Sequence, residues 1–191
     1  QLFEDSTLLS RDDANHDNFL DIISPKILHI STHGEYVDSD QLMENGRLCL
    51  SGYNKTDSGY VTAAEIQEMD LTDTELVVLS ACQTGQGKSI GGKGVYGIRR
   101  AFELAGAKTL LLTVEEIDDY NAALFMKIFY QYYKKSRNAM QSYQETQLYL
   151  SDYQNGIKEL IQFKEDFKYY LKEEIHPTTL KMKLIQLDNR I

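Results

Sequence analysis

The chain has 191 residues, 42 % of them hydrophobic, and carries 20 Lys and Arg against 29 Asp and Glu, a formal charge of −9. That length is enough for one domain with a real core, 2 Pro and 12 Gly exclude a collagenous or low-complexity chain, and no apolar run approaches the ~20 residues that span a bilayer. Residues 1–126 hold net −12 and residues 127–191 net +3, so most of the surface repels phosphate backbones and neither nucleic acid nor a membrane is an expected direct partner.

Lys26-Ile27-Leu28-His29-Ile30-Ser31, after Pro25, reads as a buried strand ending in Thr32-His33-Gly34-Glu35. Arg47 to Tyr60 reads as a hairpin, with Cys49 a small half-buried hydrophobe within it. Thr62-Ala63-Ala64-Glu65 has the capping-box spacing and should start a short helix through Met69. A second buried strand, Leu76 to Ser80, ends in Ala81-Cys82-Gln83-Thr84-Gly85. Ile98, Ala101, Phe102 and Ala105 share a helical spacing over Val95 to Ala105, with a stop at Gly106. The third strand, Thr109 to Thr113, ends in Val114-Glu115-Glu116. Asp118-Asp119 then opens a longer helix to about Lys135, whose last turn holds Lys134, Lys135 and Arg137, as the macrodipole favours.

From Asn138 the pattern is helical to Tyr153, breaks at Asn155-Gly156, resumes over Ile157 to Glu174 and stops at His176-Pro177. Leu180 to Leu187 alternates like a last, half-exposed strand. Strands alternating with helices predict an α/β fold with a mostly parallel sheet and flanking helices, residues 138–175 forming a helical insertion before the last strand. Ligands of such sheets bind at the carboxyl ends of the strands. His33 and Cys82 each fall just past one.

Cys49 and Cys82 lie in dissimilar settings, which gives neither a disulfide framework nor a zinc pattern and favours a reducing, cytoplasmic compartment. The chain opens with Gln1 and no charged-then-apolar leader, so no export signal is visible and something upstream is expected. A cysteine nucleophile works as its thiolate, needs a proton donor for the leaving group, and needs N–H donors for the oxyanion. His33 and Cys82 could meet the first two needs, and the Gly34 and Cys82 backbone N–H groups the third. His29 alternates within the buried strand and reads as structural, His16 as a loop residue and His176 as a strand entrance. The 13 tyrosines, concentrated after residue 120, read as helix packing and surface. Cys82 to Ser89 ends Gly-Lys-Ser like a phosphate-binding loop. Cys82 stands where that loop needs its first glycine, and Ile90-Gly91-Gly92-Lys93-Gly94 breaks the helix that should follow, so nucleotide hydrolysis is rejected.

Ile-Leu-His-Ile-Ser-Thr-His-Gly at 27–34, Val-Val-Leu-Ser-Ala-Cys-Gln-Thr-Gly at 77–85 and Gly-Val-Tyr-Gly-Ile-Arg-Arg-Ala-Phe at 94–102 resemble the CHAT domain, a caspase-like cysteine peptidase family related to separase. The likeness runs over nearly the whole chain, which reads as one CHAT domain over 1–191. It implies a catalytic His33, a nucleophilic Cys82, an oxyanion hole from the Gly34 and Cys82 backbone, and no metal or organic cofactor. Two positions depart from the pattern. Val114-Glu115-Glu116-Ile117-Asp118 replaces a segment that usually holds a Trp, and Leu180 replaces another. Glu115, Glu116 and Asp118 therefore have two readings: a pocket for a basic substrate side chain, or a helix cap with solvated neighbours. The resemblance also implies a protein substrate, control by a domain or partner upstream of Gln1, and a bacterial defence setting. A caspase-like interaction module without peptidase activity is the alternative.

Overall fold

The computed structural model describes residues 3, 5–36, 46–53, 55, 59–83, 93–113, 119–152, 158 and 183–187. The loop after Cys82, the residues Glu115, Glu116 and Asp118, nearly all of the helix expected over Ile157 to Glu174, and His176-Pro177 lie outside them. The chain forms two compact units, residues 3–116 with 181–191, and residues 117–180 with the first two residues.

Among the described residues, the first unit carries a seven-stranded sheet in a mixed α/β arrangement. Its spine is β2 (Ile27–Tyr36), with β5 (Leu76–Gln83) parallel along one edge from Ile27↔Leu76 to Gly34↔Gln83. β6 (Leu110–Leu112) runs parallel on the far side of β5. The other edge of β2 is shared. β7 (Lys183–Leu187) pairs antiparallel with Leu28 to Ser31, and β3 (Gly46–Cys49) pairs antiparallel with Gly34 to Tyr36. β1 (Ser6–Ser10) lies outside β7, and β4 (Tyr60–Thr62) outside β3. The parallel character that the alternating pattern predicts thus belongs to the β2–β5–β6 side of the sheet, and the antiparallel strands all lie beyond the other edge of β2.

Two expected strand ends move. β2 runs on to Tyr36 and β5 to Gln83, because β3 supplies a second partner for residues 34–36 and the β2–β5 ladder continues to its last rung at Gly34↔Gln83. His33 and Cys82 accordingly sit inside strands rather than just past them. The expected hairpin is β3 with β4. The last strand, β7, is hydrogen-bonded on both edges between β1 and β2.

The core lies on one face of the sheet. Leu28 and Ile30 of β2 join Val77 and Leu79 of β5, their register partners, with Phe19, Leu48, Ile66, Ile98 and Phe102. Both strands read as nearly unbroken apolar runs because central strands are covered on both faces. α3 (Lys93–Leu104) contributes Ile98, Ala101 and Phe102 to this core. It ends before Gly106, whose φ of +105° and a would-be Cβ only 3.0 Å from the Thr72 Cα exclude a larger residue.

α2 (Ala63–Ile66) is a single turn, shorter than the helix through Met69 that the capping box predicts. The box itself forms: the Glu65 N–H donates to Thr62 Oγ1 at 3.2 Å, and the Thr62 N–H to Glu65 Oε2 at 2.8 Å. Beyond it, Glu68 and Met69 donate to carbonyls three residues back, and this tighter turn leads Leu71 into a bond with the Ala105 carbonyl. His16 is not a loop residue. It opens α1 (His16–Leu20) behind an Asn15 cap, with Nε2 2.9 Å from Glu65 Oε1 and Nδ1 3.1 Å from Asp17 Oδ1.

A carboxylate at each ring nitrogen favours the protonated form of His16. The Glu65 bond and then the Asp17 bond raise its pKa against the opposing effect of burial. A raised folded value stabilises fully below the unfolded value of about 6.5, and that contribution fades as pH rises through the folded value. At Glu65, burial opposes ionisation, but the bonds from Thr62 and His16 outweigh it and hold the carboxyl below its usual range. His16→Ala should therefore lower the melting temperature more at pH 5.5 than at pH 8.5, on the exposed-pair scale of ~1 kcal/mol or less. Equal losses at both pH values would rule out a protonated tie.

The second unit contains α4 (Asp119–Ser136) and α5 (Ala139–Ser151), joined through Arg137 at φ 52° and capped by the Asn138 side chain on the Gln141 N–H at 2.9 Å. Phe125, Phe129 and Tyr133 recur every four residues along α4 and form successive stacked pairs. Phe125 meets Tyr143, and Tyr132 meets Tyr149, across the helix pair. The tyrosine-rich segment packs helices. Among the described residues no helix is long and apolar enough to cross a membrane.

Candidate active site

The register that builds the core also sets positions 33 and 82 together. His33 and Cys82 are partners on the parallel strands β2 and β5, so their backbones lie ~4.8 Å apart and the two positions share one face of the sheet. This is the face opposite Leu28, Ile30, Val77 and Leu79. Below it on the same face come Ser31↔Ser80 and then His29↔Val78. These three rungs thus set three polar positions of β2 and two of β5 in a column on this face. His33 is half-buried near its top.

His29, lower in the column, is buried, and desolvation pushes its pKa down to about 4. It is neutral at physiological pH and unsuited to carrying a proton there, which fits the structural part read for it. Ser80 Oγ is buried, without a hydrogen-bond partner.

On the other side of β2, the Thr32 hydroxyl donates to the Cys49 carbonyl. Continuing the Gly34↔Leu48 register by one step sets Cys49 level with His33. The two cysteines then flank His33 at two strand spacings, roughly 9–10 Å, beyond the ~7 Å that a disulfide bridges. Cys49 is a buried free thiol. Burial first, and then the Glu35 carboxylate, push it up to about 12, so it stays protonated and unreactive at neutral pH.

Glu35 lies two residues beyond His33 on the same face and is held by Arg47, its partner across the strands. Both Nε and Nη2 of Arg47 donate to Glu35 Oε2, at 3.1 and 2.7 Å. The guanidinium sits 3.7 Å from the centre of the Tyr60 ring, and Tyr53 meets that ring edge-on at 6.1 Å. This charge-paired aromatic wall was not legible in the sequence, because Glu35 and Arg47 become neighbours only through the β2–β3 register. Ser80 had a signal: it is a hydroxyl closing the apolar run from Leu76 to Leu79.

Of the residues expected at the site, His33, Gly34 and the Cys82 backbone come together on two adjacent strands. Gly34 is extended and paired on both sides, with Leu48 and with Gln83, so it is not held in the left-handed region. Glu115, Glu116 and Asp118 lie outside the described residues. Among those described, no group of three or more His, Cys, Asp or Glu could hold a metal ion.

The family model described as the CHAT domain matches residues 1–166. The chain belongs to the CHAT domain family. The matched span of the CHAT domain takes in every described element from β1 to α5, and with them both strands that carry the His33 and Cys82 rung. The family is related to the caspase-like proteases. No curated protein and no solved structure matches the chain.

Proposed function

We propose that this CHAT domain is a cysteine endopeptidase working through a His33/Cys82 dyad. The observation that carries the reading is the rung pairing His33 with Cys82 in the parallel register, together with the chemistry that removes the competitors: Cys49 is held protonated and His29 neutral. In the proposed reaction the Cys82 thiolate adds to the scissile carbonyl, and the backbone N–H groups of Gly34 and Cys82 receive the oxyanion. As the C–N bond breaks, His33 gives its proton to the departing amine, leaving a thioester on Cys82. His33 then takes a proton from water, the resulting hydroxide adds to the thioester, and as the C–S bond breaks the second product leaves as a carboxylic acid, restoring the Cys82 thiolate beside a protonated His33. No step requires a metal or an organic cofactor. A protein substrate, control by an upstream domain or partner, and a place in bacterial defence belong to the same proposal and rest on family resemblance.

A thiol-directed peptidyl probe tests the reading before any natural substrate is identified. Cys82 should be labelled far faster than Cys49, and His33→Ala should remove the difference. Labelling of Cys82 no faster than of Cys49 would support the inactive interaction module instead.

A further inference from the structure

We infer that Ser80 is the positioning residue of this site, its buried and here unpartnered hydroxyl placed to accept, when substrate binds, a hydrogen bond from the ring N–H of His33 that does not serve Cys82; the inference rests on the dyad reading above. Among the described residues, Thr74 Oγ1 and Ser80 Oγ are the buried side-chain oxygens without a hydrogen-bond partner. A buried hydroxyl left unpaired is destabilising, and an alanine in the same place would avoid the cost. Thr74 lies in the turn before β5, where its backbone bonds to Leu71 and Lys108, away from the polar column. Ser80 lies one rung below Cys82 on the same strand and face, directly opposite Ser31 and diagonal to His33.

The distances suit a hydroxyl. One rung along the strand is ~6.6 Å and one strand across is ~4.8 Å, so the backbones of Ser80 and His33 are roughly 8 Å apart, which an imidazole and a hydroxyl leaning toward each other can span. The chemistry also calls for a group there. A histidine that moves protons aims one ring nitrogen at the nucleophile, and the bond made by the other nitrogen fixes its tautomer and its orientation. The nearest charged candidate on that face is already engaged: Glu35 accepts both Arg47 N–H groups on one oxygen. His29 lies a rung lower and is neutral. A neutral acceptor has a further merit. It orients the ring without clamping it as the imidazolium, so His33 can serve as acid in one half-reaction and as base in the other. Such bonds are commonly loose in the free enzyme and tighten when substrate binds.

The test compares Ser80→Ala with Ser80→Thr, which keeps the hydroxyl, and with Ser31→Ala as the neighbouring control, all in the full chain. Three readouts apply: melting temperature, kcat and KM on a cleaved peptide, and the pH dependence of Cys82 alkylation by iodoacetamide, which needs no turnover. Ser80→Ala should melt at or above the wild-type temperature, lose on the order of 10- to 100-fold in kcat with KM little changed, and shift the alkylation profile. Ser80→Thr and Ser31→Ala should keep both kcat and the profile. Unchanged kcat and an unchanged profile in a folded Ser80→Ala would overturn the inference, as would a loss confined to Ser31→Ala. His33→Ala separates the two levels: if it shifts the alkylation profile and Ser80→Ala does not, the dyad stands and Ser80 falls. If neither shifts it, the dyad reading itself is lost.

Discussion

Cys82→Ala should lower kcat/KM for peptide cleavage by about 10⁶-fold, and adding His33→Ala should cost almost nothing more. The expected size follows from the roles. Without a sulfur at position 82 no covalent intermediate can form, and what remains is only the help that bound backbone donors give to attack by water. The near-absence of a further loss follows from the two residues acting as one unit on adjacent strands at a single rung, since a proton donor without its nucleophile has nothing to do. The fold should survive. Position 82 keeps its place in the β2–β5 ladder whatever its side chain, so the melting temperature should barely move. Cys49 should not substitute for the missing thiol, because burial and Glu35 keep it protonated. Residual cleavage above about 1 % of wild type in Cys82→Ala would remove Cys82 as the nucleophile.

How far the sequence shows this arrangement depends on how local each cause is. The Thr62 and Glu65 box, the stop at Gly106 and the helix after Asn138 are set by residues within a turn of one another, and all three appear where the residue pattern puts them. The buried strands around Leu28 and Val77 are legible because a two-sided burial leaves an apolar run. The continuation of β2 through His33 and Gly34 is not, because the polar residues look like a loop until β3 arrives from residues 46–49 to pair with them. β1 and α1 carry too few periodic positions to stand out, and they are held by β7 and by the His16–Glu65 contact, both distant in the chain. The site divides in the same way. His33 and Cys82 could be named from their motifs, but that they share a rung, and that Ser80, Glu35 and Arg47 surround that rung, depends on register, which no local pattern encodes.

Register also divides stability from chemistry, and Phe102 tests the division. Phe102 is fully buried on α3, in the cluster with Leu28, Ile30, Val77 and Leu79. That cluster occupies the face of β2 and β5 opposite His33 and Cys82. Phe102→Ala removes most of a large ring from a close-packed site and should destabilise by about 3–5 kcal/mol, the transfer loss adding to the cavity left behind. For a chain of 191 residues each kcal/mol is worth ~2–4 °C, so the melting temperature should fall by roughly 6–20 °C. The loss should appear in hydrogen exchange as weaker protection along β2 and β5, the strands whose buried face the ring covers. Below the transition the dyad rung remains in place, because its register is held by backbone bonds and not by the ring. Phe102→Ala assayed well below its melting temperature should therefore cleave within a few-fold of the wild type, while Cys82→Ala melts normally and does not cleave. If Phe102→Ala lost cleavage while still fully folded, the two faces of the sheet would not be independent, and the separation drawn from the odd and even positions of β2 would fail.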